Sequence, residues 1–190
     1  EMVEIDVTRT GQESFTSVCK VAEIQKGLTG IKVSSTLHPG GLVYYTQDQG
    51  SGWSVHQWNQ AQGLQKVDSG QLILGSWGEG YMALYSIKRH DGSCEVVLRN
   101  ALSGSQVQVH SGAEAFVNPC LGKDANTLVV AREAGPNNVE YWVGQDESQF
   151  QLRKVADQLP ASTLRVSHDG QVVCIFNGIT GLTLVKLENK

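Results

Sequence analysis

The chain has 190 residues, of which 40% are apolar and 18% charged, with a formal net charge of −4. Ample apolar content and low charge exclude a disordered chain. No run approaches the ~20 apolar residues of a membrane-spanning helix, and no basic field is present to hold a phosphate backbone, so neither a membrane nor nucleic acid is expected as a partner.

In chain order, short apolar runs bounded by Gly, Asn, Asp or Pro predict strands at Val3–Thr8, Thr16–Ile24, Gly30–Thr36, Leu42–Thr46, Trp53–Trp58, Leu64–Val67, Gln71–Ser76, Tyr81–Ile87 and Cys94–Arg99. They continue at Gln106–His110, Ala115–Asn118, Thr127–Ala131, Val139–Val143, Gln151–Val155, Thr163–Ser167, Val172–Phe176 and Leu182–Leu187. These runs are rich in Val, Ile, Leu, Tyr and Trp, the chemistry of strands. The gaps are too short for crossover helices, so neighbouring strands must pair antiparallel. Turns such as His90-Asp91-Gly92, Asn137-Asn138 and Asn177-Gly178 supply residues that tolerate positive φ. Two segments also fit helical spacing: Phe15, Val18, Cys19 and Ala22 in Ser14–Lys26, and Leu152, Val155, Ala156 and Leu159 in Ser148–Leu159, the latter followed by Pro160. Strand alternation competes with the helix in both.

The four cysteines, Cys19, Cys94, Cys120 and Cys174, lie in apolar runs and form no CxxC pair, which excludes a local zinc knuckle. Free, buried thiols are the expectation, with disulfides of an oxidising compartment as the alternative. Glu1-Met2-Val3-Glu4 has no basic region followed by an apolar stretch, and no Asn-x-Ser/Thr sequon occurs. A cytoplasmic location is therefore expected.

The strands repeat with a period. The windows Gly30–Gly70, Gln71–Gly112 and Ala113–Leu159 span 41, 42 and 47 residues, and Pro160–Lys190 is a shorter fourth copy. Each has a very apolar second strand followed by a polar loop. Four antiparallel strands per ~40–50 residues are the signature of propeller blades. Residues 1–190 are expected to form one domain, with the strands of 1–29 as a candidate ring closure and 30–190 as the repeats. In particular, Thr16–Ile24 is expected to supply the outer strand that the last window lacks.

Trp53-Ser-Val-His-Gln-Trp58-Asn59 followed by Gly63-Leu-Gln-Lys-Val67 resembles the third and fourth strands of a WD40-type blade. His38-Pro39-Gly40 and Ser167-His168-Asp169-Gly170 resemble the turn of TolB-like and WD40-like propellers. The resemblance covers about Gly30–Lys190, and the chain has neither a Trp-Asp nor a Gly-His dipeptide. It implies an all-β, propeller or partial propeller fold of about four four-stranded antiparallel blades, with a non-repeating β-sandwich as the alternative. Four blades is the minimum for a closed ring. Open edges would instead favour a homo-oligomer or completion of a larger propeller.

Catalytic signatures are absent: the chain has no Gly-x-Ser-x-Gly, Gly-x-x-x-x-Gly-Lys-Ser/Thr or His-Glu-x-x-His. Gly75-Ser-Trp-Gly78-Glu-Gly80 has the wrong spacing for a phosphate loop and precedes a strand, so it is expected to be a turn. His38 and His168 occupy matching turns, which suits polar turn residues better than metal ligands. His56 alternates with Trp53, Val55 and Gln57, as expected of a hydrogen-bonded, partly buried histidine. No cofactor or metal is expected.

Propeller blades place the loops between second and third strands on the same face as the blade-to-blade connections. Asp48, Gln49, Arg89, His90, Asp91, Glu133, Asn137, Asn138 and Asn177 fall in these loops, with Trp53 as a candidate aromatic anchor. Mixed charge and many hydrogen-bonding groups suit a protein or peptide partner, with Arg89 and Asp91 contributing to binding but not to stability. The expectation is a non-catalytic protein-interaction module. A carbohydrate-binding or small-ligand-binding propeller and the non-catalytic propeller of a larger hydrolase are the alternatives.

Overall fold

The computed structural model describes residues 2–6, 14–19, 28–33, 41–48, 52–59, 61–146, 149–158, 160–161, 163–179 and 181–187, with side chains placed from residue 41 onward except Asp48. His38 and Gln49 lie outside them. The first strands are β1 (Met2–Asp6), β2 (Ser14–Cys19), β3 (Leu28–Val33), β4 (Gly41–Asp48), β5 (Gly52–Asn59) and β6 (Gly63–Gly70). Next come β7 (Leu72–Glu79), β8 (Met82–Lys88), β9 (Cys94–Asn100), β10 (Gln106–Gly112), β11 (Val117–Leu121) and β12 (Thr127–Gly135). The last are β13 (Asn138–Gln145), β14 (Arg153–Gln158), β15 (Thr163–Val166), β16 (Val172–Asn177) and β17 (Gly181–Lys186).

Each of the four sequence windows forms one antiparallel sheet with strands in chain order. The first is β3-β4-β5-β6, the second β7-β8-β9-β10, the third β11-β12-β13-β14 and the fourth β15-β16-β17. The chain is all-β and builds a partial β-propeller of four consecutive sheets, not a two-sheet sandwich. β1 and β2 pair with each other, while β17 has its described pairing with β16.

Each sheet packs face to face on the next. Val43, Tyr45 and Val55 of the first sheet meet Ile73, Tyr85 and Ile87 of the second. Leu84, Val96 and Leu98 on the other side of the second sheet meet Leu121, Leu128 and Val130 of the third. Val129, Tyr141 and Val143 then meet Leu164, Val173 and Ile175 of the fourth. The alternation of strand side chains makes this possible, because odd and even residues face opposite neighbours. Full burial contributes about 1.5–3 kcal/mol per large aliphatic side chain, so the interfaces between sheets carry most of the stabilisation.

The helix-like spacing near residue 155 has a physical origin in the sheet. Tyr141 pairs with Ala156 and Trp142 with Lys154, so Val155 is an extra residue at a β-bulge. The bulge lets the consecutive Val155 and Ala156 both pack on the core. A strand with such a bulge mimics the i, i+3, i+4 pattern. Ser14–Cys19 is likewise strand, not helix.

Gly75–Glu79 corrects an expectation: these residues continue β7, and the turn comes after them at Gly80 and Tyr81. The glycines serve close approach here. A Cβ on Gly75 would lie 2.6 Å from Pro119 Cδ and 3.1 Å from the Asn118 backbone nitrogen. Cys94 and Cys120 are buried and free, and Cys174 is free and half-buried. Burial pushes the Cys120 thiol up to about 11, which keeps it protonated and unreactive near neutral pH.

Gly75→Ala should therefore force the second and third inner strands apart and destabilise the chain by about 1–3 kcal/mol, the usual cost of overpacking. Urea unfolding measures this; an unchanged midpoint would contradict the close approach.

Candidate functional site

The antiparallel order fixes one face. The β4–β5, β8–β9, β12–β13 and β16–β17 loops share an end of the sheets with the β6–β7, β10–β11 and β14–β15 connections. Hydrogen bonds knit this end together: the Gln71 N–H donates to the Lys88 carbonyl at 2.8 Å, and the Ala161 N–H to Tyr141 Oη at 2.7 Å.

Several expected recognition residues are committed to that framework. Arg89 Nη1 donates to Asp68 Oδ1 at 2.5 Å and to the Ser69 carbonyl at 2.7 Å, and Nη2 donates to Asp68 and Glu95. Tyr85 Oη donates to Asp68 Oδ2 at 2.9 Å, so one network ties the first sheet to the second. Burial opposes the Arg89 charge, but the hydrogen bonds to Asp68 and Glu95 outweigh it and push its pKa up. The expectation that Arg89 is indifferent to stability is thus corrected. Asn177 is buried: its Nδ2 donates to the Pro160 carbonyl at 2.5 Å and its Oδ1 accepts from the Ile179 N–H at 2.8 Å. Trp53 is 9% exposed and belongs to the core between the first two sheets, so it is no surface anchor. Asp48 closes β4 opposite Gly52.

His90 and Asp91 are exposed at the tip of the β8–β9 turn. Asp91 Oδ1 accepts from the Ser93 hydroxyl at 2.7 Å and the Ser93 N–H at 2.9 Å, and these bonds hold its carboxyl below the usual range. His56 is 7% exposed, bonds Thr46 Oγ1 at 2.9 Å and stacks on Tyr44. Among the described residues no group of three His, Cys, Asp or Glu side chains is placed to hold a metal ion.

Glu133, Asn137 and Asn138 are brought together. They line a hollow of about 310 Å3 between the β12–β13 loop and the connection carrying Pro160 and Ala161. All three are exposed, and their side chains make no hydrogen bond or ion pair among the described residues. Asn137 has φ of 60°, a left-handed turn position that asparagine tolerates. A second hollow of about 460 Å3 adjoins the first, sharing Asn118, Tyr141 and Ala161. It runs along the inner strands β7, β11 and β15 and is lined by Ser76, Trp77, Thr163 and Arg165. Burial pushes the Tyr141 phenol's pKa up against the weaker pull of the Ala161 N–H, so it stays neutral.

Sequence reasoning missed Arg165 and Trp77. The signal available was a charged residue inside the inner strand Thr163-Leu-Arg-Val166, where apolar residues are otherwise expected.

No family model and no curated protein sequence matches the chain. Solved structures resemble it at the level of fold. Kluyveromyces lactis Hsv2 aligns at 14% identity over 86% of this chain and 49% of its own, with a TM-score of 0.53. An oligogalacturonate lyase in complex with manganese aligns at 13% identity over 76% of this chain and 46% of its own, also at 0.53. The Pyrococcus horikoshii acylaminoacyl peptidase aligns at 11% identity over 86% of this chain and 31% of its own, at 0.55. Hsv2 and the lyase are β-propeller proteins, and this chain spans about half the length of each.

Arg89→Ala should destabilise the chain by about 1–3 kcal/mol, because hydrogen bonds to charged groups are lost: Glu95 loses its ion-pair partner, and Asp68 keeps only the Tyr85 hydroxyl and the Ser69 N–H. Asp91→Ala should stay within about 0.5 kcal/mol, as for ordinary surface sites. Denaturant midpoints of the two variants decide between this division and the reverse.

Proposed function

We propose that the chain is a non-catalytic interaction module of propeller type that binds a protein or peptide segment in the groove between its third and fourth sheets. One observation carries this reading. Glu133, Asn137 and Asn138 stand exposed and uncommitted around a hollow, whereas the neighbouring loop residues Arg89 and Asn177 are consumed by the framework. Free amides beside Pro136 and Pro160 suit the backbone of an extended segment, which offers alternating donors and acceptors. The WD40-like turns and strands fit the same role.

A random peptide library displayed on phage and panned against the chain tests this. Enriched peptides should lose about 10-fold or more in affinity against Glu133→Gln combined with Asn138→Ala, the size expected when two interface hydrogen bonds are lost. They should bind Asp91→Ala as well as the parent. Binders indifferent to the groove variants would reject the groove, and strong positives on a glycan array would replace a peptide by a sugar.

A second observation favours a place within a larger propeller, such as one belonging to a hydrolase. Leu182 and Leu184 are each 60% exposed on the outward face of the fourth sheet. They pair with Phe176 and Cys174, as Val55 pairs with Tyr45, Leu98 with Leu84 and Val143 with Val129 in the earlier sheets. Those six equivalent side chains are at most 2% exposed, each pair covered by the following sheet. The fourth face thus has the chemistry of an inter-sheet interface, and a further sheet from a continuing repeat or a partner chain is its natural cover. The isolated chain should self-associate in size-exclusion chromatography with light scattering. Leu182→Glu combined with Leu184→Glu should return it to a monomer; a parent that is monomeric at every concentration would count against this second reading.

A further inference from the structure

Among the described residues, Arg165 is the only positively charged one lining the two hollows, and Glu133 the only negative one. The Arg165 guanidinium carbon lies 4.7 Å from the centroid of the Trp77 ring, and its Nη1 donates to the Leu164 carbonyl at 2.7 Å. Stacking and this one bond hold the group in place without neutralising it. Among the described residues no carboxylate lies in ion-pair range of Arg165, although the other arginines most engaged in the structure, Arg89 and Arg132, each hold two. The Trp77 indole Nε1 is buried and has no hydrogen-bond partner among the described residues. The innermost part of the groove therefore presents an oriented cation without an ion-pair partner among the described residues, stacked on an indole whose buried N–H has no partner there. Buried donors are nearly always satisfied, and an aromatic face under a guanidinium pre-orients its fork for a planar acceptor.

We propose that this end of the groove binds the side-chain carboxylate of an acidic residue in a peptide segment, with Arg165 as the anchoring donor. The inference rests on the peptide reading of the groove and names the chemistry it selects. A carboxylate matches the guanidinium fork with two parallel hydrogen bonds. A phosphate dianion is the poorer fit, because one guanidinium faces it alone and Glu133 stands at the other end of the same groove. Thr163, Ser76 and Asn118 line the same hollow and supply neutral hydrogen-bonding groups for the adjoining peptide backbone. The carboxylate thus fixes direction, with the acidic residue toward the inner strands and the rest of the segment running out past Asn137 and Asn138.

The test follows the Trp77 indole N–H by NMR, its resonance identified by its loss in Trp77→Phe. The probes are a blocked hexapeptide carrying one glutamate, the same peptide with glutamine in its place, and inorganic phosphate. The glutamate peptide should move the resonance. The glutamine peptide, or Arg165→Gln titrated with the glutamate peptide, should bind about 10-fold or more weakly, as expected for lost charge-assisted hydrogen bonds. Equal binding of the two peptides overturns the carboxylate assignment and leaves the groove as a peptide site. A shift with phosphate and none with the glutamate peptide overturns it in favour of phosphate. No shift with any probe overturns it outright, and the library experiment then decides separately whether the groove binds peptides at all.

Discussion

The structure depends on one repeated contact: an apolar pair across the second and third strands of one sheet, pressed against the inner face of the next. Tyr45 with Val55, Leu84 with Leu98, and Val129 with Val143 are those pairs. Strand alternation gives every sheet two apolar faces, and each needs a neighbour. The need for cover on both faces turns a series of hairpins into a curved stack, and the stack brings inner strands of successive sheets side by side. The groove exists because three such strands, β7, β11 and β15, are held at a common depth.

The polar face follows from the same constraint. With the sheets fixed by their apolar faces, the loops at one end must satisfy backbone groups that leave the ladders. Arg89 joins the first two sheets through Asp68 and the Ser69 carbonyl, and Asn177 secures the Pro160 carbonyl beside the third sheet. Both sites use a side chain at or just beyond the end of a second strand to hold the connection that enters the sheet. In the third sheet Arg132 of β12 pairs with Glu114 of the entering connection, and Glu133, Asn137 and Asn138 are left facing solvent.

Much of this was legible in the sequence, and the failures have physical causes. The window boundaries Gly70, Gly112 and Leu159 lie within a residue or two of the sheet-to-sheet connections, because turn residues and apolar runs are local signals. His56 could be placed by alternation alone. Loop membership was equally readable, but the partners of a loop side chain were not. Arg89 finds Asp68 across 21 positions and Asn177 finds Pro160 across 17, and nothing in the local sequence announces either contact. Trp53 illustrates a related limit: an aromatic beside a loop is drawn toward an interface reading until its face of the strand is known to meet the second sheet. The glycines of β7 looked like a turn because their role, passing under Pro119, belongs to another strand.

The fourth sheet touches a covering sheet on one side only among the described residues, whereas the second and third are clasped on both. In a stack whose cooperativity runs between nearest neighbours, an end unit opens at a lower free-energy cost than interior ones. The groove lies along that seam, with β15 as one wall. Whatever occupies it would bridge the last two units, so occupancy and the fraying of the terminal unit become linked equilibria, each shifting the other.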